Sequence, residues 1–185
     1  QSPAEFREDV YSSQALLEDI TGQKVNCFRA PGFSIRQSET WAFETLAELG
    51  IEYDCSVFPA THAHGGMPQY GKAEPALIEC GGHTIKEFPV TTKTLFGHHL
   101  IFSGGGYFRL APYSLIKRWS MQCEDYLMAY IHPRDLDGGQ PVLEGLSMAR
   151  RFKSYVGVKC AEEKLRRYMT DFNFVDIAKI MGFSL

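Results

Sequence analysis

Val25-Asn26-Cys27-Phe28-Arg29-Ala30-Pro31-Gly32-Phe33-Ser34 decides how the chain is read. An apolar run of strand character brings a charged arginine to its carboxyl end, then breaks at Pro31-Gly32. In α/β sheets and barrels ligands are met at the carboxyl ends of strands, so Arg29 is placed to hold an anion or a carboxylate. An Arg-x-Pro tripeptide alone is equally an ordinary surface arginine after a strand, so the rest of the chain has to carry the argument.

Upstream, Ser2-Pro3-Ala4-Glu5 reads as a helix start, with Ser2 as cap, Pro3 in the first turn and Glu5 reaching back. Phe6, Val10, Leu17 and Ile20 recur close to helical spacing, and Gly22 ends the helix. Helix followed at once by strand implies an earlier strand, so the chain is expected to open in mid-pattern. Downstream, Ser38 is expected to cap a helix to about Leu49, and Ile51-Glu52-Tyr53-Asp54 follows as a strand ending in an acid. Repeated helix–strand alternation marks a parallel α/β architecture.

From Pro59 to Pro75 the pattern dissolves into Gly, Pro and His, a long loop. Residues 77–80 and 83–88 flank Gly81-Gly82 as a hairpin, expected as a ribbon inserted beside the main sheet. Gly104-Gly105-Gly106 lacks the Gly-Lys-Ser/Thr of a phosphate loop and reads as the entry to a helix. A helix from Pro112 to about Asp125, a strand over 127–132 stopped by Pro133, helices over 146–155 and 161–170, and a last strand at Phe174-Val175-Asp176 complete the expectation. No linker divides the 185 residues, which read as one domain.

Composition narrows the classes. The net charge is −3 with dispersed Lys and Arg, which argues against nucleic acid as a partner. No apolar stretch approaches the roughly 20 residues of a membrane span. The five cysteines are scattered and odd in number, without the clustering of a disulfide framework or a zinc site. Free thiols in a reducing compartment, and so a cytoplasmic location, are the expectation.

Three strand-like segments thus end in Arg29, Asp54 and His132. If they are parallel neighbours, the three side chains meet at one mouth of a sheet or barrel. Such a group suits hydrolysis: His132 donates a proton to a leaving group, Asp54 orients the imidazole, and Arg29 holds a second carboxylate or an anion. Each residue taken singly is equally a strand cap, a turn acid or a surface ion pair.

The segments Phe28-Arg29-Ala30-Pro31-Gly32-Phe33-Ser34, Ile51-Glu52-Tyr53-Asp54-Cys55-Ser56-Val57-Phe58-Pro59 and Tyr130-Ile131-His132-Pro133 resemble polysaccharide deacetylases of the NodB-homology type, carbohydrate esterase family 4. Gly105-Gly106-Tyr107-Phe108-Arg109 and Arg151-Phe152-Lys153-Ser154-Tyr155-Val156 are similar to the exopolysaccharide-associated subgroup. The resemblance implies part of a distorted (β/α) barrel and metal-dependent removal of N-acetyl groups from an amino-sugar polymer. A divalent metal, usually zinc, activates water there. It further implies His132 as general acid, Arg29 as holder of the catalytic aspartate, Asp54 as the acid that tunes the histidine, and Pro31 and Phe33 as groove wall. His62, on the long loop, and Tyr53 are added as candidate substrate contacts.

The chain also departs from that family. The Thr-Phe-Asp-Asp and His-x-x-x-His segments that carry the base and the metal ligands have no counterpart, and Ala129 stands where leucine is usual. The expectation is therefore the carboxyl-terminal, general-acid part of such a domain, lacking its first strands and binding no metal by itself. His62 with His64, His98-His99, and Asp54 or Asp135 are the only local candidates for ligands, and their spacing does not ensure convergence. Two other readings stand beside the enzyme. One is a sugar-binding module using Trp41, Tyr53, Phe58 and Tyr70; the other is an interaction subunit that dimerises or exchanges strands through an unpaired sheet edge.

Overall fold

A computed structural model describes residues 1–62, 65–123 and 125–180. The chain divides into two compact units, Gln1–Val90 and the described residues from Thr91 to Ile180. Among the described residues it is a mixed α/β structure without a closed barrel. No described helix is long and apolar enough to cross a membrane.

The first unit opens with α1 (Pro3–Thr21), whose start is the capping box expected from Ser2 and Glu5 and whose end is Gly22 in the left-handed conformation. β1 (Cys27–Phe28) follows, then one-turn 3-10 helices at Pro31–Phe33 and Gln37–Glu39, then α2 (Trp41–Glu48). Ser38 is thus not a helix cap. It lies inside the 3-10 turn that Arg36 N–H closes by donating to Glu39 Oε2 at 3.2 Å, and Thr40 precedes α2.

β2 (Tyr53–Asp54), β3 (Ala76–Cys80) and β4 (His83–Glu87) complete a sheet of order β1-β2-β4-β3. β1, β2 and β4 are parallel, and β3 and β4 form the antiparallel hairpin turned by Gly81-Gly82. The hairpin is therefore no ribbon beside the sheet: its second strand is the sheet's third parallel member. Burial gives the reason, because Ile85 and Glu87 of β4 are wholly enclosed and so face the same core as β2. The register Phe28↔Asp54↔Glu87 sets two carboxyl residues side by side at the strand ends.

Phe43, Leu46, Val57 and Ile85 are fully buried at the centre of this unit's core, with Val10 from α1 beside them. Gln14 reaches into the same region from α1. Its amide donates to Val25 O at 2.7 Å and Leu49 O at 3.2 Å, while Glu18 Oε1 accepts from Val25 N–H at 2.9 Å. Side chains thereby satisfy the backbone just before β1, leaving a very short open edge at that strand. Gln14→Ala is expected to destabilise the protein by about 1–3 kcal/mol, because two carbonyls lose their donor. Urea unfolding of the variant against the parent measures this.

The second unit holds a hairpin of β5 (Lys93–Leu95) and β6 (His98–Leu100), then α3 (Gly105–Leu110), α4 (Tyr113–Ser120), α5 (Met148–Tyr155), α6 (Ala161–Asp171) and α7 (Ile177–Ile180). Its core gathers Phe102, Phe108, Ile116 and Tyr168, with the Tyr168 hydroxyl 2.6 Å from Ser120 Oγ. α4 stops well short of Asp125, at the residue whose hydroxyl bonds back to Ile116 O and meets Tyr168.

Two expected strands are not strands. Residues 127–132 are extended, yet they make only one parallel bridge, Tyr130 to Gly104, because the neighbouring segment turns into α3 one residue later. Phe174-Val175-Asp176 forms no strand either; the Phe174 ring packs on Tyr168 and Phe172, and α7 begins at Ile177.

Candidate functional site

In the first unit the chain ends of β1, β2 and β4 bring Arg29, Asp54 and Glu87 together. Asp54 is fully buried, with Oδ2 accepting Ser56 N–H at 2.8 Å and Oδ1 accepting the Ser56 hydroxyl at 2.7 Å. Glu87, equally buried, accepts Val57 N–H at 3.0 Å through Oε1, and its Oε2 meets no ordinary donor. The two acids interact with each other, and burial together with the Asp54 charge pushes the Glu87 carboxyl well above the usual carboxylate range. Burial also raises Asp54, opposed by its contacts to Glu87 and Ser56. Two carboxyls buried side by side cannot both ionise cheaply. Asp54, with two Ser56 donors, is the better carboxylate, so Glu87 keeps the shared proton.

Arg29 Nε donates to Cys55 O at 3.3 Å, and its charge acts on Glu87 and on the Cys55 thiol. Burial pushes that thiol up to about 12 even so, which makes it a poor nucleophile. The other residues singled out in this unit are placed as follows. Pro31 is exposed in its 3-10 turn, and Phe33 is buried at a positive φ against Phe58, with ring centres 6.3 Å apart. Tyr53 is buried and stacked on Phe88, with Lys86 over its ring. His62 Nε2 lies 3.1 Å from Phe33 O, and its ring stands edge-on to Phe58. His64 lies outside the described residues.

His132 belongs to the second unit, where it is exposed and precedes a 3-10 turn at Pro133–Asp135. It therefore sits at the end of an extended segment that bridges only once, where the chain enters the turn. Its Nε2 is hydrogen-bonded to the Tyr130 hydroxyl, and the rings meet edge to face. Its backbone N–H donates to Asp135 Oδ2 at 3.0 Å. Asp135 is buried and paired with the buried Arg109 of α3. Tyr130 and Asp135 are thus the direct partners of His132. Their signals were the spacings i−2 and i+3 around a His-Pro step. Glu87 ends a strand whose residues, His83-Thr84-Ile85-Lys86-Glu87, are mostly polar, so only the register beside Asp54 marks it.

His98 and His99 lie on the exposed β6, where His99 Nδ1 is 3.4 Å from Thr94 Oγ1. Among the described residues no group of three or more His, Cys, Asp or Glu side chains converges as a metal site needs. The five cysteines form no disulfide.

Residues 55–182 match the model of a domain of unknown function, DUF3473. The chain belongs to this family. No curated protein and no solved structure matches it. The DUF3473 match takes in His62, Glu87, Arg109, Tyr130, His132 and Asp135, whereas Arg29, Pro31, Phe33, Tyr53 and Asp54 lie before its first residue. The whole turn that carries His132 therefore lies within the DUF3473 match, whereas the Asp54 and Glu87 pair straddles its start.

Proposed function

We propose that this chain is the general-acid part of a hydrolase that removes N-acetyl groups from an amino-sugar polysaccharide, built on part of a distorted (β/α) barrel. The observation that carries the reading is the His132 turn: an exposed imidazole whose ring nitrogen is held by the Tyr130 hydroxyl and whose backbone is held by a buried carboxylate. Support also comes from the DUF3473 family, which is associated with polysaccharide deacetylases.

In this reading water adds to the acetamide carbonyl, the C–N bond breaks, and the proton from His132 goes to the departing amine, leaving acetate and a free amino sugar. The reaction class includes a divalent metal, zinc by the resemblance, which would polarise the carbonyl when bound. The described residues do not fit such a site, since no three ligand side chains converge. The step assigned to this chain is therefore the proton transfer alone.

The sugar-binding alternative has less support. Tyr53 and Phe58 are buried, and Trp41 and Tyr70 pack against the first core, so these four rings present no exposed row on which sugar faces can stack. The test is acetate release from N-acetylglucosamine oligomers by the full-length protein supplied with zinc. Stoichiometric acetate and free amine are expected; tight oligomer binding without acetate would replace the enzyme by a binding module.

A further inference from the structure

We propose that Arg109 and Asp135 form a positioning pair that sets the His132 ring for proton transfer; this rests on the deacetylase reading. The chain of contacts starts at α5. Arg109 Nη1 donates to Ser154 O at 2.8 Å and Val156 O at 3.2 Å, and Nη2 to Lys153 O at 2.9 Å, so three carbonyls at the end of that helix fix the guanidinium. Its Nε lies 3.1 Å from Asp135 Oδ1, close enough for an ion pair although the N–H points off the oxygen. Asp135 passes the constraint on, because its other oxygen accepts the His132 N–H.

Burial makes this arrangement demanding. Arg109 and Asp135 are each 7% exposed, and a carboxylate taken out of water needs a compensating cation. Arg109 supplies it while three bonds from its Nη atoms to the carbonyls of Lys153, Ser154 and Val156 hold the guanidinium in place. Lysine cannot reproduce this, because it lacks the planar fork that reaches an acid and three carbonyls at once.

The second arm to the ring leads back to the same helix. Tyr130, whose hydroxyl holds Nε2, donates its backbone N–H to Ser103 O at 3.3 Å, and Ser103 Oγ donates to Met128 O at 2.7 Å. The next residue, Gly104, approaches Tyr130 so closely that a Cβ there would overlap the Tyr130 carbonyl. Gly157 makes a close but less extreme approach to the Arg109 carbonyl. α3 therefore grips the His132 turn at both ends: Gly104 just before the helix sets Tyr130 and the ring nitrogen, and Arg109 within it sets Asp135 and the backbone. A purely structural clamp would need only the backbone arm. Two arms, one on the ring nitrogen and one on the backbone N–H of the same residue, fix the direction of the imidazole proton.

The experiment follows the His132 ring directly, by long-range 1H–15N correlation in protein labelled at histidine, with His132→Gln to assign the signals. In the parent the two ring nitrogens are expected to give the separate signals of one tautomer. Asp135→Asn, nearly isosteric, and Arg109→Lys are expected to draw them toward a common averaged position. Tyr168→Phe, a core change in the same unit, should leave them in place. In the full-length protein the same two variants are expected to lose about a hundredfold in kcat with KM within twofold, as a misplaced catalytic group does. Ring signals unchanged in a folded Asp135→Asn protein would overturn the proposal. Absence of acetate release by the parent would overturn the deacetylase reading instead, and the ring signals would still decide whether the pair positions His132.

Discussion

His132→Ala in the full-length protein is expected to lower acetate release from N-acetylglucosamine oligomers by about 10²–10⁴-fold, the span that a positioned general acid supplies. The size of the loss depends on the leaving group. An alkyl amine leaves poorly unless it is protonated as the C–N bond breaks, so the amide substrate feels the whole loss. An acetyl ester of a nitrophenol, whose leaving oxygen needs little help, should lose far less in the same variant. A residue that merely binds sugar would instead raise KM for the oligomers and leave kcat intact, so a fall in kcat on the amide identifies the proton donor. Tyr130→Phe keeps the imidazole and removes its hydroxyl partner, so an intermediate loss is expected. Turnover on the amide equal to the parent's in His132→Ala would remove His132 from the mechanism.

How much of this was legible in the sequence depends on how local the signal is. The capping box of Ser2 and Glu5, the Gly22 stop and the Gly81-Gly82 hairpin are set by residues within three or four positions of one another, and the structure bears them out. Arg29 and Asp54 at neighbouring parallel strand ends were readable because Pro31-Gly32 breaks the run after Arg29 and Asp54 closes the short run that follows the helix stop at Gly50. The strand expected over 127–132 failed because a strand needs a partner, and the partner turns into α3 immediately after Gly104. Apolar composition cannot reveal where a neighbour stops. Glu87 was passed over for a related reason: its importance comes from a register that sets it beside Asp54, 33 positions earlier in the chain. Asp135 was closer to hand, since an acid three residues after His132 across a proline is itself a capping pattern. The role of Arg109 was hidden, because its acceptors lie more than 40 residues downstream on α5.

The Asp54 and Glu87 pair should give the first unit a stability that falls as pH rises. Glu87 has its folded pKa raised well above the ordinary value of 4.5, by burial first and by the Asp54 charge second. Above 4.5 the unfolded chain releases this proton while the folded chain keeps it, so the folded state binds more protons and stability declines with pH. The contribution is fully present below 4.5 and is gone once pH has passed through the raised folded value. The groups facing the pair modulate the effect without reversing it. Arg29 pulls Glu87 down, whereas the Cys55 thiol and the Tyr70 phenol, both raised by burial and by the two acids, stay neutral between pH 5 and pH 9. Glu87→Gln tests this directly, since its amide can donate to Asp54 as the protonated acid does and cannot ionise. Urea unfolding between pH 5 and pH 9 should show a falling midpoint for the parent and a nearly level one for Glu87→Gln, with the variant the more stable at the alkaline end. Asp54→Ala should be destabilised at every pH, by about 1–3 kcal/mol for each group it leaves unpaired. Those groups are the Ser56 N–H, the Ser56 hydroxyl and the Glu87 acid. Parallel pH profiles for the parent and Glu87→Gln would mean that the proton is not held between these two carboxyls.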